Sequence, residues 1–166
     1  MRAQTSAERK VAVLRLAAAV YRDELRRPDA GARVMRDALA SAPDDLVVVR
    51  ELTELLVASG DMASAADELG RALGTLPRDN PERGSLFSER AAMLAALGRD
   101  EEALSDWEEA LLAGDVMVVE PLSQHLVRIA TKAAGAGDTK TWRKHRKRLA
   151  ELRHEAGQSE EARAIL

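Results

Sequence analysis

Residues 98–111, with the sequence GRDEEALSDWEEAL, repeat a pattern found twice earlier in the chain. Residues 60–73 read GDMASAADELGRAL and residues 26–39 read RRPDAGARVMRDAL. Each stretch has a small residue at its sixth position, a large apolar residue four positions later and an alanine three positions after that. These residues are Gly31, Ala65 and Ala103, then Met35, Leu69 and Trp107, then Ala38, Ala72 and Ala110. Such internal repetition predicts an array of similar units.

The spacing of the repeats identifies the unit. Ala38 and Ala72 are 34 residues apart, whereas Ala72 and Ala110 are 38 apart, with the four extra residues in the Pro- and Gly-containing loop 77–84. Steps of three and four residues return to one helix face, and small side chains let two helices cross closely. The second and third stretches begin with a Gly-Asp or Gly-Arg pair that ends the preceding helix, as expected of a left-handed helix end.

This pattern resembles the tetratricopeptide repeat (TPR), a helix–turn–helix unit of 34 residues. The resemblance covers residues 11–117 well and 120–156 more weakly. It implies an all-α fold, a right-handed α-solenoid of about four hairpins plus a C-terminal helix. Residues 1–166 would form one repeat domain with units at about 11–45, 46–79, 81–117 and 120–156, and with 159–166 as a capping or truncated helix.

Local signals predict where the helices lie. We expect helices at 8–26, 30–41, 45–59, 62–75, 81–97, 101–113, 120–134, 139–156 and 159–166. Thr5 to Glu8 fits a capping box, Asn80 and Pro81 fit a cap followed by a first-position proline, and Ser159 fits the cap of the last helix.

The fourth unit departs from the pattern. If Gly137 is aligned with Gly60 and Gly98, Trp142 falls at the small position and Arg146 at the large apolar one. The unit is either a non-consensus end unit or a divergent hairpin. Trp142 then either covers the core or anchors a partner.

Composition excludes several classes of protein. The 166 residues contain no cysteine, which rules out disulfides, thiolate metal sites and a cysteine nucleophile. Aromatic residues make up 2% and the net charge is −3, so neither a β-sandwich nor a generally basic nucleic-acid binder is expected. The sequence shows neither a signal peptide nor an apolar run long enough for membrane insertion.

No catalytic, metal or cofactor site is expected. The three histidines, at 125, 145 and 154, lack metal-ligand spacing and are predicted to be exposed. Residues 135–141 lack the Gly-Lys-Ser/Thr step of a phosphate loop. The carboxylates of Glu101, Glu102, Asp106, Glu108 and Glu109 are expected on a solvated helix face, with Trp107 in the core on the other side. The chain is therefore predicted not to be an enzyme.

Charge is unevenly distributed. Residues 100–120 hold eight acidic residues and no basic one, whereas 140–153 hold seven basic residues against one acidic one. In one interpretation the basic helix stacks beside the acidic helix. In the other it forms a basic patch for nucleic acid, which is the less favoured partner, or for an acidic protein. The patch would comprise Lys140, Arg143, Lys144, Arg146, Lys147 and Arg148.

The resemblance implies a concave groove lined by the first helix of each hairpin. Its positions correspond here to Arg15, Arg22, Asp23, Val47, Arg50, Glu54, Ser85, Ser88, Ala92, Gln124 and Arg128. Arginines at these positions would bind carboxylates.

We therefore expect a non-catalytic scaffold that binds a peptide or partner protein in this groove. The alternatives are an architectural or oligomerising segment of a larger repeat protein, with self-association, and an adaptor that uses the basic helix. The 20 arginines against five lysines are typical of GC-rich bacterial genomes, and a cytoplasmic location is expected.

Overall fold

A computed structural model describes residues 6–165 of the chain. Its α-helices follow one another as predicted from the repeats. They are α1 (Ser6–Asp23), α2 (Pro28–Ser41), α3 (Leu46–Ala58), α4 (Met62–Thr75), α5 (Arg83–Ala96), α6 (Asp100–Leu112), α7 (Val119–Gly135), α8 (Thr139–Glu155) and α9 (Ser159–Ile165), with a short 3₁₀ turn at Val116–Val118 before α7. The described residues form two compact units, which meet in sequence between Asn80 and Pro81. Unit 1 contains α1–α4 and unit 2 contains α5–α9.

Aspartates start three of the helices. The side chains of Asp45, Asp61 and Asp138 accept hydrogen bonds from backbone N–H groups in the first turns of α3, α4 and α8. Ser159, predicted as a cap, is instead the first residue of α9. The predicted capping box at Thr5 lies outside the described residues.

The prediction that Asn80 and Pro81 open the fifth helix is wrong. This helix, α5, begins at Arg83, and Leu86 donates its backbone N–H to the Glu82 carbonyl. Pro81 lies in the preceding turn. The loop between α4 and α5 is therefore longer than its prolines indicated.

The turn between α1 and α2 differs from the other hairpin turns. Gly60 and Gly98 end α3 and α5 with φ of +85° and +75°, and Arg26 occupies the equivalent position with φ +54°. The Arg27 N–H reaches back to the Tyr21 carbonyl, six residues away, whereas Asp61 reaches Leu56, five residues away. The extra residue predicted for α1 thus lies in the turn, and α1 ends at Asp23.

Unit 1 packs around the small and large positions of its repeats. Met35, Leu69, Ala38 and Ala65 are all buried. A Cβ atom added at Gly31 would lie 3.1 Å from Leu55 Cδ2 and 3.2 Å from the Ala18 carbonyl oxygen. The small residue is therefore required by the close approach of α2 to α1 and α3, as the repeat pattern predicted.

Unit 2 uses the same positions in its first hairpin. Ala103, Trp107 and Ala110 are buried on α6, which packs against α5. Trp107 lies in the core, as predicted, with its ring edge-on to His125 at a centroid distance of 4.7 Å.

The second hairpin of unit 2 pairs α7 with α8, and α9 packs on α8. Its core side chains are shifted along α8, where His145, Leu149 and Leu152 are buried. Trp142 is half-buried, with the Arg146 guanidinium 4.9 Å from its ring centroid. The fourth hairpin thus forms with a core register of its own.

Candidate partner-binding face

In unit 1 the predicted groove residues come from two helices that an ion pair joins. Arg15 on α1 donates through Nε to Glu51 Oε2 at 2.7 Å and through Nη2 to Glu51 Oε1 at 2.5 Å. The side chains of Arg15 and Glu51 are 41% and 31% exposed, so the pair is in contact with solvent. The hydrogen bond that Arg15 donates to Glu51 raises the pKa of Arg15. The sequence did not indicate that Glu51 pairs with Arg15. The Arg15 guanidinium, which was predicted to bind a partner's carboxylate, is hydrogen-bonded to Glu51 instead.

Arg22 is paired with its own neighbour. Its Nε and Nη2 donate to the two carboxylate oxygens of Asp23 at 2.8 and 3.0 Å. This hydrogen bonding lowers the pKa of Asp23, and Glu54 and Glu51 on α3 also contribute to raising the pKa of Arg22. The negative charge of Glu54 on α3 thus favours the charged form of Arg22. Both partners of the pair are exposed, so a competing carboxylate loses little by displacing Asp23.

Apolar side chains remain exposed beside these charges. Val47 and Val57, at the two ends of α3, are 51% and 38% exposed. Arg50 is half-buried and Glu54 exposed on the same helix. Unit 1 therefore presents valines among arginines and carboxylates on its α1–α3 side.

In unit 2 the predicted residues lie on α5 and α7. Ser85 and Ser88 are half-buried, and Ala92 and Gln124 are exposed. The Ser85 hydroxyl donates to the Glu82 carbonyl, and Gln124 donates to Glu120 on its own helix at 2.9 Å. That these α5 and α7 residues form one binding face stays a prediction.

Arg128 takes part in a cluster at the start of α6. Its Nη2 donates to Asp100 Oδ1 at 2.6 Å and to His125 Nδ1 at 2.9 Å, and His125 Nε2 donates to the Asp100 carbonyl oxygen at 2.9 Å. Lys132 Nζ also donates to Asp100, at 3.2 Å. These bonds fix the ring of His125 as the neutral tautomer and tie α7 to α6.

Burial lowers the pKa of His125, and Arg128 adds to this effect, although the Asp100 carbonyl opposes it. The prediction of an exposed histidine is wrong for His125 and for His145, which are 3% and 1% exposed. His154 is exposed as predicted. Both buried rings lie on the core side of their helices.

Asp106 also departs from its predicted place on a solvated face. It is 4% exposed, and Arg90 on α5 donates to its two oxygens from Nε and Nη2 at 2.5 and 2.6 Å. The equivalent residue in unit 1, Glu68, is likewise buried and pairs with Arg71 at 2.7 Å. An acidic residue at this repeat position therefore faces inward, because a neighbouring arginine reaches its carboxylate.

The basic residues of α8 lie against acidic residues of α6, as the stacking interpretation predicted. Arg148 contacts Glu108 at 2.9 Å and Lys144 contacts Glu101 at 3.8 Å. Lys147 pairs with Glu151 on α8 at 3.7 Å, and Arg146 stacks on Trp142 and donates to the Ile165 carbonyl. Lys140 and Arg143 are exposed. Carboxylates thus already neutralise half of the predicted basic patch.

Among residues 6–165, no three His, Cys, Asp or Glu side chains are grouped so that they could hold a metal ion. Over the same residues, none of the helices combines the length and apolarity needed to cross a bilayer.

The fold has counterparts among solved structures. A protein named MamA is 12% identical over 94% of this chain and 87% of its own, with a TM-score of 0.61. A Podosopora anserina protein with TPR-like repeats of the kinesin light chain type, in a single-residue variant, is 16% identical over 98% of this chain and 93% of its own, with a TM-score of 0.57. The chain has the TPR-like helical repeat fold. No protein-family model and no curated protein matches the sequence.

The TPR-like fold explains which sequence signals were informative. The small, large and alanine positions predicted helix contacts because they repeat in phase. The inward carboxylates and the buried histidines were not predicted, because acidic and histidine side chains are ordinarily expected at the surface. A polar residue recurs three positions after the position of the small residue, at Glu68, Asp106 and His145, and this recurrence could have indicated that the three share a similar environment.

Proposed function

We propose that the protein is a non-catalytic scaffold that binds a segment of a partner protein on the α1–α3 side of unit 1. The TPR-like fold supports protein binding in general. The observation that carries the specific proposal is the pair of exposed valines, Val47 and Val57, set among the Arg15–Glu51 and Arg22–Asp23 ion pairs. Apolar side chains among exposed charges favour a partner that combines apolar and acidic residues.

Arg15 and Arg22 have different roles in the proposed face. Arg15 joins α1 to α3 and holds the face in shape, because its Nε and Nη2 both donate to Glu51 on the other helix. Arg22 recognises the partner's carboxylate, since its present acceptor, Asp23, is an exposed neighbour on the same helix. The excess of arginine over lysine supports a bacterial cytoplasmic setting for this scaffold.

A paired capture experiment tests the proposal. Arg22→Glu with Val57→Glu changes the face, and Arg33→Glu with Leu112→Glu makes the same change of charge at an arginine and an apolar residue that are both exposed elsewhere, with exposures of 73% and 82%. Each variant and the wild type serve as bait in extract from the source organism, with cross-linking to locate the contact.

We expect a partner that the wild type and the control variant retain and the face variant loses, with cross-links on α1 and α3. Equal retention by all three baits, or cross-links confined to unit 2, would contradict the proposal. Circular dichroism must show equal helicity for the three proteins, as expected because all four substituted side chains are exposed.

A further inference from the structure

The two ring nitrogens of His125 contact groups that require different protonation states. Arg128 Nη2 is 2.9 Å from His125 Nδ1, and the Asp100 carbonyl oxygen is 2.9 Å from His125 Nε2. A guanidinium nitrogen only donates, so Nδ1 accepts through its lone pair. A carbonyl oxygen only accepts, so Nε2 carries the proton. Both hydrogen bonds are therefore made by the neutral ring and by one tautomer of it.

Protonation of the ring makes one of these two contacts repulsive. A proton that binds Nδ1 from solvent takes up the lone pair that accepts from Arg128. Two positively charged N–H donors then face each other across 2.9 Å. The contact between Nε2 and the Asp100 carbonyl is kept, because the imidazolium still donates there.

The groups around the ring add to this repulsion. Lys132 on α7 contacts the Asp100 carboxylate at 3.2 Å, beside Arg128. The charge of His145 on α8 further lowers the pKa of His125. Trp107 on α6 packs edge-on against the ring, and its indole offers no acceptor for the new proton. Once the ring is protonated, the Asp100 carboxylate therefore faces three cations.

Arg128 is able to leave the cluster, whereas His125 is not. The Arg128 side chain is 48% exposed, but His125 is 3% exposed. Asp100 keeps Lys132 as a partner after Arg128 has gone. A guanidinium at the protein surface exchanges a protein acceptor for water at little cost. The repulsion is thus relieved most easily by movement of Arg128 into solvent.

We propose that a proton on His125 Nδ1 expels Arg128 from this cluster, so that Arg128 binds a partner's carboxylate only in mild acid. At neutral pH, Asp100 and His125 hold the guanidinium. After protonation it extends into solvent from α7, where its planar set of donors suits a carboxylate. The site lies in unit 2 and does not depend on the face proposed on unit 1.

Nuclear magnetic resonance of the imidazole and guanidinium nitrogens of the whole chain tests the proposal. At about pH 7.5 we expect His125 to carry its proton on Nε2 alone. As the pH falls to about 5, the Arg128 Nε and Nη resonances should shift with the same midpoint as the His125 ring. Arg90, which pairs with Asp106 and not with a histidine, is the reference and should not follow this transition.

Three outcomes of the titration would overturn the proposal. The first is a proton on Nδ1 at neutral pH, and the second is an Arg128 resonance that stays constant while His125 titrates. The third is unfolding of unit 2 before the ring titrates, because the fold then does not accommodate the protonated ring.

Two substitutions of exposed cations separate the hydrogen bond from the general effect of charge. Arg128→Met removes the donor to the neutral ring and should raise the pKa of His125 by about one unit. Lys132→Met removes an equal charge from Asp100 but no contact with the ring, and should shift this pKa by less than about a third as much. Both side chains are exposed, so both variants should fold. Equal shifts in the two variants would contradict the proposal.

The second buried ring has its own control. His145→Phe removes the titration of His145, and the Arg128 transition should remain, with a higher midpoint because one neighbouring charge is gone. Disappearance of the transition in this variant would assign it to His145 and overturn the proposal.

Sodium formate tests carboxylate binding, since formate remains ionised throughout this pH range. Its addition should shift the Arg128 resonances about threefold more at the lower pH than at the higher one. Arg33, an exposed arginine on α2, should respond equally at both. An Arg128 response that does not depend on pH would show that protonation does not make the guanidinium available.

Discussion

Unit 1 and unit 2 differ in what occupies one equivalent position of their second helices. Three residues after the small residue, α2 and α4 have Val34 and Glu68, whereas α6 and α8 have Asp106 and His145. Unit 2 contains more buried polar contacts near this position. Arg90 donates to Asp106, and Arg128 donates to both Asp100 and His125. In unit 1, the Arg15–Glu51 pair that links the two hairpins is more exposed.

The grooves between successive second helices also differ between the two units in the polarity of their linings. Between α2 and α4 the groove is mostly apolar, with Leu39, Val49 and Ala72 in its lining. Between α6 and α8 the lining is mainly charged, and Arg148 and Lys144 bridge to α6 carboxylates. Similar helical hairpins can thus be joined by apolar contacts or by ion pairs, and the two units should respond differently to substitution and pH.

The largest difference is expected when the arginine that pairs with a buried carboxylate is removed. Arg90→Met leaves the Asp106 carboxylate, 5% exposed, without its bidentate partner, and should destabilise unit 2 by about 3–5 kcal/mol. Arg15→Met in unit 1 should cost only about 0–1 kcal/mol, because Glu51 remains solvated. Urea denaturation measures both free energies of unfolding. Both tryptophans lie in unit 2, so tryptophan fluorescence reports that unit and circular dichroism reports both.

A second substitution separates the burial of Asp106 from other effects of the Arg90 change. Replacing both residues, by Arg90→Met with Asp106→Leu, should recover most of the lost stability, because no unpaired charge remains. If the double variant is as unstable as Arg90→Met, the carboxylate is not the cause of the loss.

A small residue at the helix crossing should matter more than a glycine elsewhere in the same unit. Gly31→Ala places a Cβ atom 3.1 Å from Leu55 and 3.2 Å from the Ala18 carbonyl, and should destabilise unit 1 by about 1–3 kcal/mol. Gly74→Ala, where no atom lies within 4 Å, should stabilise it by about 0.5–1 kcal/mol. Hydrogen exchange of α1–α4 amides gives both changes, and equal effects would show that the crossing tolerates a methyl group.

Mild acid should destabilise unit 2 selectively. Burial lowers the pKa of His125 and His145 from the ordinary value of 6.5, although Glu101 opposes the shift at His145. The unfolded chain therefore binds protons at a higher pH than the folded chain. Stability should be constant above about pH 6.5 and should fall as the pH drops from there toward the folded pKa values.

Each unit of pKa shift corresponds to about 1.4 kcal/mol of lost stability once the titration is complete. Fluorescence-detected urea denaturation between pH 7.5 and about pH 5 measures the change in unit 2. Unit 1 has no histidine, so exchange of its amides, corrected for intrinsic rates, should vary less in this window. Replacing both buried rings, by His125→Phe with His145→Phe, should remove the pH dependence, and its persistence in that variant would contradict the assignment to these rings.

The smallest effect concerns the first turn of unit 1. Arg26 holds φ +54°, a conformation that costs a residue with a side chain about 1 kcal/mol relative to glycine. Arg26→Gly should therefore stabilise unit 1 by about 0.5–1 kcal/mol, seen as slower amide exchange in α1 and α2. Gly98→Ala at the equivalent turn of unit 2 should destabilise by a similar amount. No gain for Arg26→Gly would indicate that the arginine side chain compensates for the backbone conformation.

The amino-acid sequence by itself determined the helices, their order and the helix contacts of the repeats. The positions Gly31, Ala65 and Ala103 could be predicted because helix crossing depends on side-chain size, which is read directly from sequence. The turns were also predictable, since Gly60 and Gly98 adopt a backbone conformation that glycine favours. Arg26 shows the limit, because the tertiary contacts of the hairpin impose the same conformation on a different residue.

Only the tertiary structure decided which charged groups are available to a partner. Arg15, Arg22 and Arg128 were alike in sequence, yet Arg15 is held by Glu51 of another helix, Arg22 by its exposed neighbour and Arg128 by Asp100 and His125. In the same way Asp106 is buried, whereas Val13, Leu16 and Val20 of α1 are exposed. Repeat spacing fixes which helices pack together, but the pairing of long polar side chains depends on distances between helices that the sequence does not specify.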